Sequence, residues 1–385
     1  MINTSSDIPL SLYIHIPWCE KKCPYCDFNS HMARAKVDEQ AYIQSLLDDL
    51  DTDLSRHKTA LANRTIETIF IGGGTPSLFK AESIKELLDG IVQRINLSDQ
   101  IEITLEANPG SSEANKFSGF RQAGVNRLSI GIQSFNTKHL LALGRVHNST
   151  EALNAATYAK QAGFEQFNLD LMFGLPEQSL EQSLADLQTA IELAPSHLSC
   201  YQLTIEPNTL FHHQPPITPD AERLWEMQTA LQAVLAKQQY QHYEVSAYAS
   251  ANSQCRHNLN YWQFGDYLGI GAGAHGKITS TSGKVTRTWK IKHPTTFLEN
   301  QDKIGGLDVI KAEQLPFEFM LNALRLINGF SSEVFEQRTG LSISNIEAIM
   351  SKHQDQGLLE INDNHICPSE RGKLLIDSML QDYLM

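Results

Sequence analysis

A chain of 385 residues with 41% hydrophobic residues is long enough to bury a sizeable core, in two domains or in one large barrel with an appendage. Its formal net charge of −13 argues against a broad phosphate-binding footprint, and its six cysteines, three of them in one loop, suggest a metal site rather than a disulfide framework. The opening "MINTSSDIPLSLYIHI" has no basic stretch followed by a long apolar run, and no later segment approaches the roughly 20 apolar residues of a membrane span, so a cytoplasmic protein with no integral membrane segment is the expectation.

In chain order, β-rich runs alternate with segments of helical period. Strands are predicted at 11–16, 65–73, 102–108, 127–134, 166–174 and 197–205, with helices near 38–55, 81–95, 112–123, 150–162, 179–193 and 220–238. This α/β alternation implies parallel strands joined by right-handed crossovers, six units in all, in an open sheet or a barrel. Residues 1–240 would form this core and 241–300 a β-rich extension. Residues 301–385 read as helices, a short hairpin and a last helix, a winged-helix-like arrangement. From 313 onward five Lys/Arg face eleven Asp/Glu, which disfavours nucleic acid as a partner and leaves a cap or a docking surface.

Each strand ends in a chemically capable group: Cys19 after the first, "GGGTPS" (72–77) after the second, then Glu106, Gln133 and Asp170. Ligands of parallel α/β folds sit at the carboxyl ends of the strands, so these groups should converge on one mouth. Cys19, Cys23 and Cys26 in "CEKKCPYC" could take zinc if His15 or His31 completed a tetrahedron. A cubane iron–sulfur cluster held by three thiolates leaves one iron open, and the position of the loop at the expected mouth favours it. Cys200, Cys255 and Cys367 lie far apart in sequence and read as buried fillers.

"CEKKCPYC", with Tyr25 just before the third cysteine, resembles the signature of the radical S-adenosylmethionine (SAM) superfamily. "LYIHIPWC", "FIGGGTPS", "EANPG", "RLSIGIQSF", "LGRVH" and "FNLDLMFGLP" are similar to its oxygen-independent coproporphyrinogen III oxidase-like family, over nearly the whole chain. The resemblance implies a partial (β/α)6 barrel and a 4Fe-4S cluster on Cys19, Cys23 and Cys26. It also implies contacts to S-adenosylmethionine from Tyr13, Tyr25, Gly73, Gly74, Thr75, Glu106, Gln133, Arg145, Asp170 and, in the "YLGIGAGAHG" strand (267–276), Ala274, with His275 close by. Arg145 would fork onto the methionyl carboxylate.

Two departures separate the branches of that family. The decarboxylating oxidase carries a further cysteine where this chain has Phe28, and an N-terminal extension where this chain has 18 residues before Cys19. Both point to the haem-chaperone, HemW-type branch. "CRHNLNYW" (255–262) resembles the HNxxY element of that branch, implicated in haem binding. On a helix His257 and Tyr261 would share one face and could meet one porphyrin, with Trp262 packing beside it; otherwise the element orders a turn. The resemblance thus implies haem as cargo and a haem-acceptor protein as partner. Oxidative decarboxylation of coproporphyrinogen III is the enzyme alternative, and a structural zinc or electron-transfer protein the third. An open cluster iron would also allow a homodimer bridged through it.

Overall fold

The structure is a computed structural model and describes residues 8–33, 35–110 and 116–384. Six strands follow the predicted order: β1 (Leu10–Ile16), β2 (Ile66–Gly73), β3 (Leu97–Ala107), β4 (Arg127–Gln133), β5 (Gln166–Phe173) and β6 (His197–Gln202). The crossover helices are α1 (Glu39–Arg56), α2 (Ala81–Val92), α3 (Phe117–Ala123), α4 (Ser149–Gln161), α5 (Leu180–Glu192) and α6 (Ala221–Lys237). Residues 111–115, where the helix near 112–123 was expected to begin, lie outside the described residues. Local signals set the ends: Asn148 and Ser179 each form reciprocal capping boxes with the residue three positions on, and Gly124 closes α3 in the left-handed region.

All six strands run parallel, and the sheet continues beyond them at both edges. Past β6 lie β7 (Gln241–Glu244) and β8 (Ala247–Ala249), both antiparallel. On the far side, β9 (Asp266–Ile270) pairs in parallel with β1, then β10 (His275–Thr279), β11 (Val285–Lys290) and β12 (Ile304–Val309) add antiparallel strands. The order is β12-β11-β10-β9-β1-β2-β3-β4-β5-β6-β8-β7, a mixed sheet around a partial barrel. The single strand expected at 267–276 is therefore two, split by the turn at Gly271–Ala274. There Gly271 and Gly273 take φ of +101° and +80°, a conformation β-branched and bulky residues avoid. β12 was not expected, because "IGGLDV" has weak strand propensity. Its glycines make room for Trp289, whose ring atoms would lie 2.0 Å from a Cβ at Gly306.

The main core packs the apolar faces of β1 to β5 against α1 to α5, with Leu12, Ile14, Ile69, Leu105 and Ile130 fully buried. A second core joins Phe264 and Val285 to the C-terminal region, where α8 (Leu315–Ala323) follows α7 (Arg256–Trp262), and α9 (Ser332–Thr339) and α10 (Glu347–Asp355) precede the hairpin of β13 (Leu359–Asn362) and β14 (His365–Pro368). Helices plus this hairpin give the winged-helix-like arrangement expected.

At the start of β9, Asp266 is fully buried and bridges elements far apart in sequence. Its carboxylate accepts from Arg64 Nη1 at 2.8 Å, Lys277 Nζ at 2.9 Å and Thr279 Oγ1 at 2.8 Å. Burial raises the pKa of this carboxyl, but Lys277 and Arg64 outweigh that and hold it below the ordinary range. Asp266→Ala would leave two cations buried without a counter-charge, an arrangement that costs about 3–5 kcal/mol. Urea denaturation at pH 7 should show a loss of this size. A change under about 1 kcal/mol would contradict the assignment of Asp266 as the counter-charge of both cations.

Candidate functional site

The loop between β1 and α1 carries the three cysteines, all of them free thiols. Its stem is closed by a two-residue parallel pairing of Trp18–Cys19 with His31–Met32, and its tip is held by Cys26 N–H donating to Cys23 O at 3.2 Å. Pro24 seats the loop against its neighbours: its carbonyl accepts from Phe211 N–H at 2.9 Å, and Gly144 of "LGRVH" lies so close that a Cβ would stand 2.9 Å from the ring. Cys19 is buried, and burial pushes its thiol up to about 11, with Cys26 and Cys23 adding to the effect.

These thiols form one wall of a small cavity of about 160 Å³ at the carboxyl ends of the strands. The same cavity is lined by Tyr25, Gly73, Gly74, Thr75, Glu106, Gln133, Arg145 and Asp170, so the structure brings together every residue of the expected S-adenosylmethionine set except Tyr13 and Ala274. Gly73 and Gly74 let the ends of β1 and β2 close: a Cβ at Gly73 would lie 2.6 Å from the His15 ring and one at Gly74 2.4 Å from the Trp18 carbonyl. Gly73 N–H donates to Glu106 at 3.0 Å. Gln133 ends β4 at φ +68°, a position that stores about 1–3 kcal/mol of strain, and its Oε1 accepts from Tyr201 Oη at 2.5 Å.

The guanidinium of Arg145 lines the small cavity and is also hydrogen-bonded to the protein. Its Nη2 donates to Asn108 Oδ1 at 2.7 Å and to Gly131 O at 2.8 Å, its Nη1 lies 3.6 Å from Cys23 Sγ, and its buried Nε has no partner among the described residues. The fork thus fastens the third and fourth strand ends to the cysteine loop. Asn108, Ser129 and Tyr201 also line the cavity and escaped the sequence reading. Asn108 stood in plain view in "EANPG", where it also donates to Thr75 Oγ1 at 3.2 Å.

Next to this cavity, and sharing Lys22, Cys26, Phe28, Gly73 and Glu106 with it, opens a larger one of about 880 Å³. That volume lies within the roughly 300–1,000 Å³ usual for sites that enclose an organic ligand. Its walls are aromatic, with Tyr13, Tyr261, Trp262 and Tyr267 among them, and Phe28 stands 63% exposed at the junction. Tyr13 belongs here, its hydroxyl 2.9 Å from His15 Nδ1. Ala274 is 1% exposed and lines neither cavity, whereas its neighbours Gly273 and His275 do line the larger one. Along an extended strand Ala274 would face away from Gly273 and His275, and it is buried.

The HNxxY element lies on α7 as expected, but its two functional side chains meet each other. His257 Nε2 is 2.9 Å from Tyr261 Oη and its Nδ1 is 2.8 Å from Thr68 Oγ1, so the buried ring has no free nitrogen. Burial pushes its pKa down to about 3, which keeps it neutral. Of the pair, Tyr261 lines the cavity and His257 stands behind it. Cys255 is buried near Glu102, and Cys200 is buried too, while Cys367 is half-exposed.

The donor set fits a cluster with a small charged ligand: three thiols on one wall, an unpartnered buried guanidinium nitrogen and a glycine-lined approach. Among the described residues no three His, Cys, Asp or Glu side chains are gathered closely enough for a single ion. A cubane does not ask for that, because each thiolate binds a different iron.

Glu106 sits on the wall between the cavities, where burial, then the charge of Asp170, push it up to about 8 against the hydrogen bond from Gly73. Its folded pKa exceeds the unfolded value near 4.3, so folding binds a proton and stability falls as pH rises from about 4.5 to about 8. Glu106→Gln removes this penalty. Thermal melts of the ligand-free variant should exceed the wild type by a margin that grows over that window and then levels; equal midpoints at every pH would contradict the assignment.

Known proteins resemble the chain from end to end. The Radical SAM superfamily model matches residues 13–188 and the HemN C-terminal domain model residues 310–375. The "Heme chaperone HemW" of Haemophilus influenzae is 51% identical and that of Escherichia coli 49%, each comparison covering 98% of both chains. Among solved structures, coproporphyrinogen III oxidase (HemN) from Escherichia coli superposes with a TM-score of 0.81, over 98% of this chain and 90% of that one, at 22% identity. That likeness is one of fold, whereas identity near one half over full length is one of family. The chain belongs to the HemW family of the radical SAM superfamily.

Proposed function

We propose that the protein is a haem chaperone. It takes up haem in the larger cavity and passes it to an acceptor protein, with a 4Fe-4S cluster on Cys19, Cys23 and Cys26 and S-adenosylmethionine beside it. The observation that carries this reading is the aromatic-walled cavity of about 880 Å³ contiguous with the cysteine loop. Its relatives' name, heme chaperone, supports the same reading. When bound, the cluster and its sulfonium ligand supply one-electron chemistry. The chain's own residues orient the ligand: Gly73 and Gly74 let the strand ends close beside it, Gln133, Asp170 and Glu106 offer acceptors, and Phe28 lines both cavities. In the haem cavity Tyr261 presents its phenol while His257 positions it from behind, and burial keeps that phenol protonated.

In this reading residues 1–240 form the cofactor core, 241–300 the wall of the haem cavity and 301–385 a cap. Cysteines that the reading assigns to an iron–sulfur cluster call for a reducing compartment, which supports the cytoplasm as the place of work. Among the described residues no helix is long and apolar enough to cross a membrane. The oxidase reading rests on fold similarity, and Phe28, where that enzyme has a further cysteine, weighs against it.

Anaerobic reconstitution followed by haem titration tests the proposal. The expected result is about four irons per chain, stoichiometric haem uptake and no conversion of coproporphyrinogen III. Replacing Cys19, Cys23 and Cys26 with Ala together should abolish the cluster's visible absorption, and Tyr261→Phe should shift the haem spectrum more than His257→Gln. Conversion of the porphyrinogen without haem retention would overturn the chaperone reading.

A further inference from the structure

The rim of the larger cavity gathers basic side chains, two of them lysines, in a chain whose net charge is −13. Lys22, His15, His275 and Lys292 all line it, and His31 and His293 stand edge to face beside them with ring centroids 5.5 Å apart. Asn29 is the hub. Its Nδ2 donates to Lys292 O at 2.9 Å and Ala272 O at 2.8 Å, its carbonyl lies 2.9 Å from His15 Nε2, and its Oδ1 lies 3.2 Å from His31 Nε2.

The basic groups feel one another. Burial lowers the His31 pKa, and His293 and Lys22 lower it further; burial lowers that of His275, and Lys292 and Arg287 lower it further. Lys22 Nζ reaches only carbonyls, Phe28 O and Ser30 O, each at a long 3.3 Å, and neither Lys22 nor Lys292 is in an ion pair among the described residues. Both lysines are exposed at the mouth. The acidic groups of the lining are Asp27, Glu106 and Glu206, and the aromatic groups Tyr13, Tyr261, Trp262 and Tyr267 supply the apolar surface. An apolar wall beside two ammonium groups without counter-ions calls for a flat ligand with anionic groups on one edge.

We propose that Lys22 and Lys292, assisted by His275, form a carboxylate clamp that grips the two propionates of haem and fixes which edge of the macrocycle faces the solvent. The clamp rests on the haem-chaperone reading and adds its specificity: the site selects a porphyrin by its free carboxylates as well as by its ring. Lys22 also belongs to the cysteine loop and lines both cavities, so the grip on the cargo and the cofactor site share one segment.

The test titrates the full chain, its cluster reconstituted, with haem and with haem dimethyl ester, following the Soret band. Wild type should bind the ester about five- to tenfold more weakly than haem, a span set by two exposed charge pairs. Lys22→Ala combined with Lys292→Ala should weaken haem by the same factor and leave the ester unchanged, and Lys292→Arg should retain most of the haem affinity. Iron content is measured in each variant; if Lys22→Ala lowers it, Lys292→Ala alone decides, with a loss of about two- to fivefold for haem only. Equal affinity of wild type for haem and ester overturns the clamp while the chaperone reading stands. Equal loss of haem and ester in the variants, or a loss of S-adenosylmethionine affinity in place of haem affinity, overturns it as well. Uptake of neither ligand by wild type with an intact cluster overturns the chaperone reading and the clamp together.

Discussion

The parallel pairing of β1 with β2 on one side and β9 on the other is the constraint from which both cavities follow. The register sets Ile16 beside Gly73 and Ile14 beside Ile270, so the cysteine loop, the glycine turn and the Gly271–Ala274 turn leave the sheet side by side. Parallel strands end on one face, and no side chain beyond glycine would let these three segments approach so closely. Asp266, with Arg64 and Lys277, and Lys290, whose Nζ lies 2.6 Å from Asp49 and 2.8 Å from Asp53, lock the β9 side in place with buried charge.

The alternation of β1 divides the work of its two faces. Leu10, Leu12, Ile14 and Ile16 go to the helices, while Ser11, Tyr13 and His15 face the interior. Two hydrogen-bonded chains start from that inner face. One runs from Tyr13 through His15 to the Asn29 carbonyl in the cysteine loop. The other runs from Asn260 through Ser11 and Thr68 to His257 and Tyr261. The wall that carries Tyr261 and the cysteine loop are therefore anchored to the same strand, and movement of either is resisted by buried polar groups that would lose their partners.

Much of this was legible in the sequence, and the misses have physical causes. β-rich runs and period-3.6 segments located β1 to β6 and their helices within about five residues, because a parallel strand covered on both faces is rich in apolar residues and its ends need turns. The convergence of Cys19, Gly73, Glu106, Gln133 and Asp170 needed only the rule that parallel strands end on one face. What periodicity cannot state is which partner a face will meet. His257 and Tyr261 were placed on one side of a helix, and only the distant Thr68 and Phe70, the latter with its ring 5.2 Å from that of His257, decide that the histidine packs inward. Nor can periodicity state which acceptors a buried guanidinium will meet, here Asn108 and Gly131 for Arg145 Nη2.

The cavity at the cysteine loop and the larger cavity proposed for haem are neighbours that share Cys26, Phe28, Gly73 and Glu106. Electron paramagnetic resonance of the reduced cluster, with and without bound haem in its high-spin ferrous state, tests this contiguity most directly. A paramagnetic haem in the larger cavity should markedly accelerate the cluster's spin relaxation and broaden its signal. Stoichiometric haem binding that leaves the relaxation unchanged would place the cargo elsewhere on the protein and contradict the account.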